Sequence, residues 1–418
     1  MSIIGKICGF GLILAVSVLG VPNSSKTGTT QRVDLPTTLL ISCDGFRTDY
    51  LDSFPTPNLD RLASTGIRSK ALIPVFPTKT FPNHYSIVTG LYPENHGIVA
   101  NRMYDHHQDA WFKIGAGSAS TREAFWFEGE PIWVTAKKQG LRTATLFWPG
   151  SDAAPEGYKP DFHLFYNNRL SYQERINQVT DWLKLPPKER PHFITLYFES
   201  PDKEGHSFGP FHDATSKAVS EVDAYIGELI KRVQQLNLTD QINILVTSDH
   251  GMSQLSRDRV IFLDDYISLG DITLVETSPK ADIIPKPGLD SIVFTRLKDA
   301  HPHLSVFRRD NTPEKWHYRK HERITPIMAV ADLGWSIATK AIFNRNRGAY
   351  SGGAHGYDNS YPEMGAIFIG TGPGFKNGLI MPALKNIHLY ELMCHLLQIK
   401  PATNDGDLSV FNGFISEF

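Results

Sequence analysis

Three short runs of almost unbroken apolar residues organise the chain: L-P-T-T-L-L-I-S-C at 35–43, H-F-I-T-L-Y-F at 192–198 and Q-I-N-I-L-V-T at 241–247. Runs of this length without alternation fit strands buried on both faces. Between them the pattern shifts to a helical period. Residues 57–66 read as a short helix stopped by Gly66, 130–139 as a helix opening on E-P-I-W, and 171–183 as a further helix. The longest helix is expected over 213–236, with Ala218, Val222, Tyr225, Ile226 and Leu229 spaced along one face. Two more strands are expected at 141–147 and 365–370, and a closing helix at 387–397. Strand alternating with helix predicts an α/β fold with a mainly parallel central sheet flanked by helices. Residues 280–345 break the rhythm with prolines and a charged cluster, H-Y-R-K-H-E-R at 317–323. They are expected to form a less regular, cap-like region.

The first 21 residues have their own pattern. One lysine precedes roughly fifteen apolar or small residues, short for a membrane span and suited to a secretory signal peptide. An uncleaved N-terminal anchor is the alternative. Residues 22–34 read as a polar linker, and 35–418 as one catalytic domain. Beyond the leader only Cys43 and Cys394 remain, too few for a disulfide framework. A formal net charge of −2 argues against a partner held by bulk electrostatics, such as nucleic acid, so recognition of any anion must be local.

The chemistry-bearing residues gather where the predicted strands end. Asp44 follows the first strand. The second runs into E-S-P-D-K-E-G-H, with Asp202 and His206, and the third into S-D-H-G, with Asp249 and His250. His355 lies in G-G-A-H-G-Y. Alone, each piece has a plain reading: S-D-H-G as a strand-ending turn, D-x-x-x-H as a solvated helix face, His355 as a surface histidine. Together, three carboxylates and three imidazoles are the donor set that a pair of zinc-like ions requires. The stretch P-T-K-T-F-P-N-H-Y-S-I-V-T-G at 77–90 adds a hydroxyl, Thr80, at the expected start of a helix with Gly90 as its C-cap. A hydroxyl there faces unpaired backbone N–H groups and the positive end of the dipole, a good place to hold a phosphate. It needs activation to act as a nucleophile. Otherwise Thr80 is simply an N-cap. Asn101, in the loop that follows, can donate an amide N–H to a phosphoryl oxygen. His84 and the remaining histidines are read as structural.

The 77–98 stretch, with G-E-P-I-W-V-T-A, F-W-P-G-S-D, P-D-K-E-G-H, S-D-H-G-M and G-A-H-G-Y, resembles the nucleotide pyrophosphatase/phosphodiesterase family of the alkaline phosphatase superfamily, over about residues 37–400. The resemblance implies an alkaline-phosphatase-like core with a two-zinc site. Asp44, Thr80, Asp249 and His250 would hold one ion, and Asp202, His206 and His355 the other. Thr80 would attack phosphorus to give a phosphothreonine, and Asn101 would be the oxyanion donor. The implied substrate is a small nucleotide, split to a nucleoside 5′-monophosphate. Phe81 and Tyr166 would hold the base, with Trp126 and Tyr197 near, and Lys79 and Arg102 would reach distal phosphates. A lysophospholipase D or choline-type phosphodiesterase is the alternative within the family. A sulfatase is disfavoured because the nucleophile stretch lacks C/S-x-P-x-R. The accessory cysteine-rich and nuclease-like domains of large vertebrate members have no counterpart, so a compact single-domain enzyme is expected, with no stable protein partner implied and membrane contact only through an uncleaved leader.

Overall fold

The computed structural model describes residues 35–417; the leader and the whole of the linker lie outside the described residues. The three apolar runs become adjacent parallel strands. The central sheet has eight strands: β1 (Thr37–Cys43), β2 (Ile67–Ser69), β3 (Thr143–Leu146), β4 (Phe162–Leu164), β5 (Phe193–Phe198), β6 (Ile242–Thr247), β7 (Phe368–Thr371) and β8 (Leu379–Met381). Their order across the sheet is β8-β2-β7-β6-β1-β5-β3-β4. β1 pairs in parallel with both β5 and β6, and β3 joins β5 and β4 in parallel. Only β7 runs against its neighbours β6 and β2. The fold is thus α/β around a mostly parallel sheet.

Burial on both faces explains the unbroken apolar runs. Leu40, Phe193 and Leu245 point into one core with helices α2 (Thr80–Thr89), α3 (Ile132–Lys138) and α7 (His388–Leu396). Their chain neighbours Leu39, Ile41, Ile194, Leu196, Ile244 and Val246 point the other way, onto α1 (Pro57–Ser64), α4 (Tyr172–Leu183) and α6 (Asp213–Gln235). Successive strand residues alternate between faces, so covering both faces with helices leaves no solvent-facing position along the strand. The predicted stripe of α6 is buried at Ala218, Val222, Ile226 and Leu229. α4 opens on a reciprocal capping box between Ser171 and Glu174.

The stretch expected to be irregular contains ordered structure. A four-stranded antiparallel sheet is made by Ile272–Glu276, Lys280–Pro285, Ile327–Ala331 and Leu304–Arg308, in that spatial order. Its strand signal was hidden because K-A-D-I-I-P places Lys280 and Asp282 at buried positions, where they pair with each other. Residues 327, 329 and 331 face this sheet's own core, while Met328 and Val330 join the core beneath α2. The hairpin Arg102–Asp105/Ala110–Lys113 is a second element absent from the sequence reading. Among the described residues no helix is long and apolar enough to cross a membrane.

Candidate active site

The C-terminal ends of β1, β5 and β6 lie side by side, and each delivers its acid there. Asp44 directly follows β1, Asp249 and His250 lie just past β6, and Asp202 is the first residue of a short helix, α5 (Asp202–Phe208), beyond β5. Gly45 makes the close approach between β1 and α5 feasible. It sits at φ +69°, and a Cβ on it would lie 2.8 Å from the Asp202 Cα. His206, one turn along α5, lies beside Asp202, and His355 arrives from the glycine-rich loop.

Two donor groups result: Asp44, Asp249 and His250 in one, Asp202, His206 and His355 in the other. His250 Nε2 lies 2.9 Å from Asp249 Oδ2 and 3.5 Å from Asp44 Oδ1. His206 Nε2 lies 3.4 Å from Asp202 Oδ1 and 3.1 Å from His355 Nε2. The stacked rings of His250 and His355, 3.5 Å between centroids, join the groups.

Tautomers follow from the outer hydrogen bonds. Nδ1 of His206 donates to the Gly353 carbonyl at 2.8 Å, that of His250 to Gly251 at 2.9 Å, and that of His355 to Thr78 at 2.7 Å. All three imidazoles therefore turn Nε2 toward the cluster, the arrangement that orients metal-binding histidines. One oxygen of each carboxylate, Asp44 Oδ1, Asp202 Oδ1 and Asp249 Oδ2, is buried without a hydrogen-bond donor. Converging lone pairs and buried, unsatisfied carboxylate oxygens are costly together, and divalent cations would satisfy both. The donor set therefore fits metal ions.

The electrostatics point the same way. Burial raises the Asp44 carboxyl well above its usual range, and the charges of Asp249 and Asp202 push it further. Burial also pushes Asp249 up, but His250 and His84 outweigh it and hold that carboxyl below its usual range. At His250 the burial penalty is overcome by Asp249, so the imidazole is raised. His355 is held well below its usual value by burial and then by the neighbouring His250 and His206.

Thr80 is the first residue of α2, and its Oγ1 lies 3.5 Å from His250 Nε2. Pro82 falls in the first turn, where its missing N–H breaks no intrahelical bond, so the helix can begin at Thr80 itself. Asn101 Oδ1 accepts the Phe81 backbone N–H at 3.0 Å, which leaves its amide NH₂ as the free donor edge. Beside Thr80 opens a cavity of about 260 Å³, lined among others by Phe81, Tyr166, Tyr197 and Asp44.

The family description "Type I phosphodiesterase / nucleotide pyrophosphatase" matches residues 38–358. The chain belongs to the nucleotide pyrophosphatase/phosphodiesterase family. It is a hydrolase of that family. It is 39% identical over 401 residues to the bis(5′-adenosyl)-triphosphatase enpp4 of Xenopus laevis, covering 96% of this chain and 86% of that protein. It is 42% identical to human ectonucleotide pyrophosphatase/phosphodiesterase family member 1, but spans only 41% of that longer protein. Murine family member 5, solved as an inactive threonine-to-alanine variant with AMP, superposes with a TM-score of 0.86 at 37% identity, covering 91% of this chain and 100% of that one.

Within this family fold several expected substrate contacts sit differently. Trp126 is fully buried in the core, its indole N–H donating to Glu123 at 3.0 Å, and it does not line the cavity. The Lys79 ammonium donates to the Ser278 carbonyl at 3.1 Å, so a phosphate would have to compete with that bond. Arg102 lies over the Trp111 ring. Tyr197 donates to Asp44 Oδ2 at 2.6 Å, which makes it an orienting group as well as a wall of the cavity.

Sequence reasoning missed other residues. Glu199 enters the cavity wall, held by a bidentate pair with fully buried Arg175 at 2.7 and 2.8 Å, and accepts the Tyr166 hydroxyl at 3.0 Å. Asp152 accepts the Tyr166 backbone N–H. His84, read as structural, lies directly beneath the donor cluster. Its only available signal was its place one helical turn after Thr80, on the same face.

Proposed function

We propose that this protein is a secreted or extracellular enzyme that hydrolyses nucleotide pyrophosphate and phosphodiester bonds through Thr80, with two zinc ions as cofactors. The observation that carries this reading is the place of Thr80: a helix-start hydroxyl beside His250 and on the wall of an aromatic-lined cavity that Asp44 and Asp202 also line. The inactive threonine variant of murine member 5 in complex with AMP supports both the nucleophile and the nucleotide class.

Asp44, Asp249, His250 and Thr80 would hold one ion, and Asp202, His206 and His355 the other. Mixed nitrogen and oxygen donors favour zinc over magnesium or calcium. When bound, the ions supply Lewis acidity that lowers the pKa of the Thr80 hydroxyl and neutralises charge on the phosphoryl group. The chain does the rest. Thr80 Oγ1 bonds to phosphorus as the bond to the leaving oxygen breaks, and water then releases the nucleoside 5′-monophosphate and restores the hydroxyl. The Asn101 amide donates to a phosphoryl oxygen as charge develops, and the α2 dipole favours that anion. Phe81 and Tyr166 offer ring faces for the base, a contact worth about 1–3 kcal/mol and tolerant of base identity. The lysophospholipid alternative is not favoured by the relatives, which are named for nucleotide substrates.

The test is hydrolysis of the p-nitrophenyl ester of thymidine 5′-monophosphate by wild type and Thr80→Ala, with and without chelator. Thr80→Ala is expected to lose on the order of 10³-fold or more in kcat, as removal of a nucleophile does. Chelation should abolish activity and added zinc restore it. Near-normal turnover by Thr80→Ala would mean direct attack by water. An inert, zinc-loaded wild type that cleaves a lysophospholipid would overturn the nucleotide reading.

A further inference from the structure

The charged segment 317–323 has no part in the chemistry above, yet it meets the tip of the Arg102–Lys113 hairpin in a surface cleft of about 470 Å³. Three donors converge there: His106 and His107 from the hairpin tip and Glu322 from the segment. Their donor atoms all lie within 4.8 Å of one another. The two imidazole rings stand 4.0 Å apart, tilted by 38°, and His107 Nε2 contacts the Glu322 carboxylate. We infer that His106, His107 and Glu322 form a peripheral site for a divalent transition ion of the zinc class, separate from the active site.

Two nitrogens and one carboxylate oxygen suit zinc, copper or nickel rather than calcium or magnesium, and water would complete the coordination. Tetrahedral ligands about 2.0–2.2 Å from an ion stand roughly 3.3 Å apart, so no pair of donors has to close by more than about 1.5 Å, and His107 and Glu322, already in contact, have to part slightly. His107 and Glu322 are 62% and 60% exposed, which leaves room for that rotation. The platform beneath them is rigid. Asp105 accepts the backbone N–H groups of His107 and Gln108 at 3.0 and 3.1 Å, which shapes the hairpin tip, and pairs with Arg323 at 2.8 Å, which anchors the residue next to Glu322. Arg323 also donates to the carbonyls of Gly97, Trp126 and Phe125. The nearby cations are already neutralised, Arg323 by Asp105 and Lys320 by Glu94 at 3.6 Å. A bound ion would bridge segments more than 200 residues apart in sequence and so stabilise the folded chain.

The full chain, with its active site loaded, is equilibrated in zinc-buffered solutions, and bound zinc per chain is measured by mass spectrometry alongside Tm. Wild type is expected to take up one more zinc than His107→Ala/Glu322→Gln, and only wild type should gain Tm as free zinc rises. His106→Ala should weaken that uptake about tenfold or more, the scale of losing a ligand's support. Glu322→Gln alone serves if the double variant folds poorly, and unchanged hydrolysis of the nitrophenyl ester checks folding. Equal zinc uptake by wild type and variants, or a Tm difference that ignores zinc, would reduce the cluster to a surface ion pair and overturn the site.

Discussion

His84 shows how one side chain can serve a site without entering it. It is fully buried, with Nδ1 donating to the Thr80 carbonyl at 2.9 Å and Nε2 accepting the Ser42 hydroxyl at 2.8 Å. The same Nδ1 lies 3.5 Å from Asp249 Oδ2. One ring therefore holds the backbone of the proposed nucleophile and braces a proposed ligand. Removal of such an outer partner commonly costs 10–100-fold in metal affinity or activity. His84→Ala is expected to lose about 10–100-fold in kcat and to release zinc to a weaker chelator than wild type does. Zinc retention across graded chelators is the deciding measurement. Wild-type retention with a lowered Tm would mean that His84 only fills space.

At the scale of the element, α2 carries Thr80 at one end and is stopped at the other by Gly90. Gly90 has φ +68°, and its N–H donates to the Ser86 carbonyl. A Cβ there would stand 3.0 Å from the Cβ atoms of Tyr390 and Asn404. Both the left-handed backbone and the tight contact oppose a side chain, the first by about 1–2 kcal/mol. Gly90→Ala should therefore lower stability by at least that much in urea titration while leaving KM near wild type. A stable Gly90→Ala would show that the α2 terminus can relax. The helix was legible in P-T-K-T-F-P and the closing glycine because those signals are local.

The whole molecule depends on the second sheet lying on the first core through Met328 and Val330. At that junction Lys280 and Asp282 are both buried and paired, with Tyr318 and Thr325 completing the polar cluster. Breaking a buried pair leaves an uncompensated charge, so Lys280→Met alone should cost about 3–5 kcal/mol. Replacing both, as Lys280→Met with Asp282→Leu, should cost less, because no lone charge remains. Denaturant titration of the two single variants and the double variant measures this coupling. A double variant that costs the sum of the two single variants would show that the pair contributes no coupling.

By itself the sequence determined the core strands, the helices between them and the types of donor at the strand ends. Those features are local: an apolar run, a helical period and an acid after a strand are each written in consecutive residues. Tertiary structure alone decided which strand ends became neighbours. Because β5 and β6 flank β1, Asp202 and Asp249 meet at Asp44, although each lies more than 150 residues away in the chain. The same long-range packing set the histidine tautomers through distant carbonyls, brought Glu199 and Tyr166 together in the cavity wall and kept Trp126 out of it. It also made a strand of K-A-D-I-I-P, because a lysine and an aspartate can share the interior only when folding brings them together with their partners.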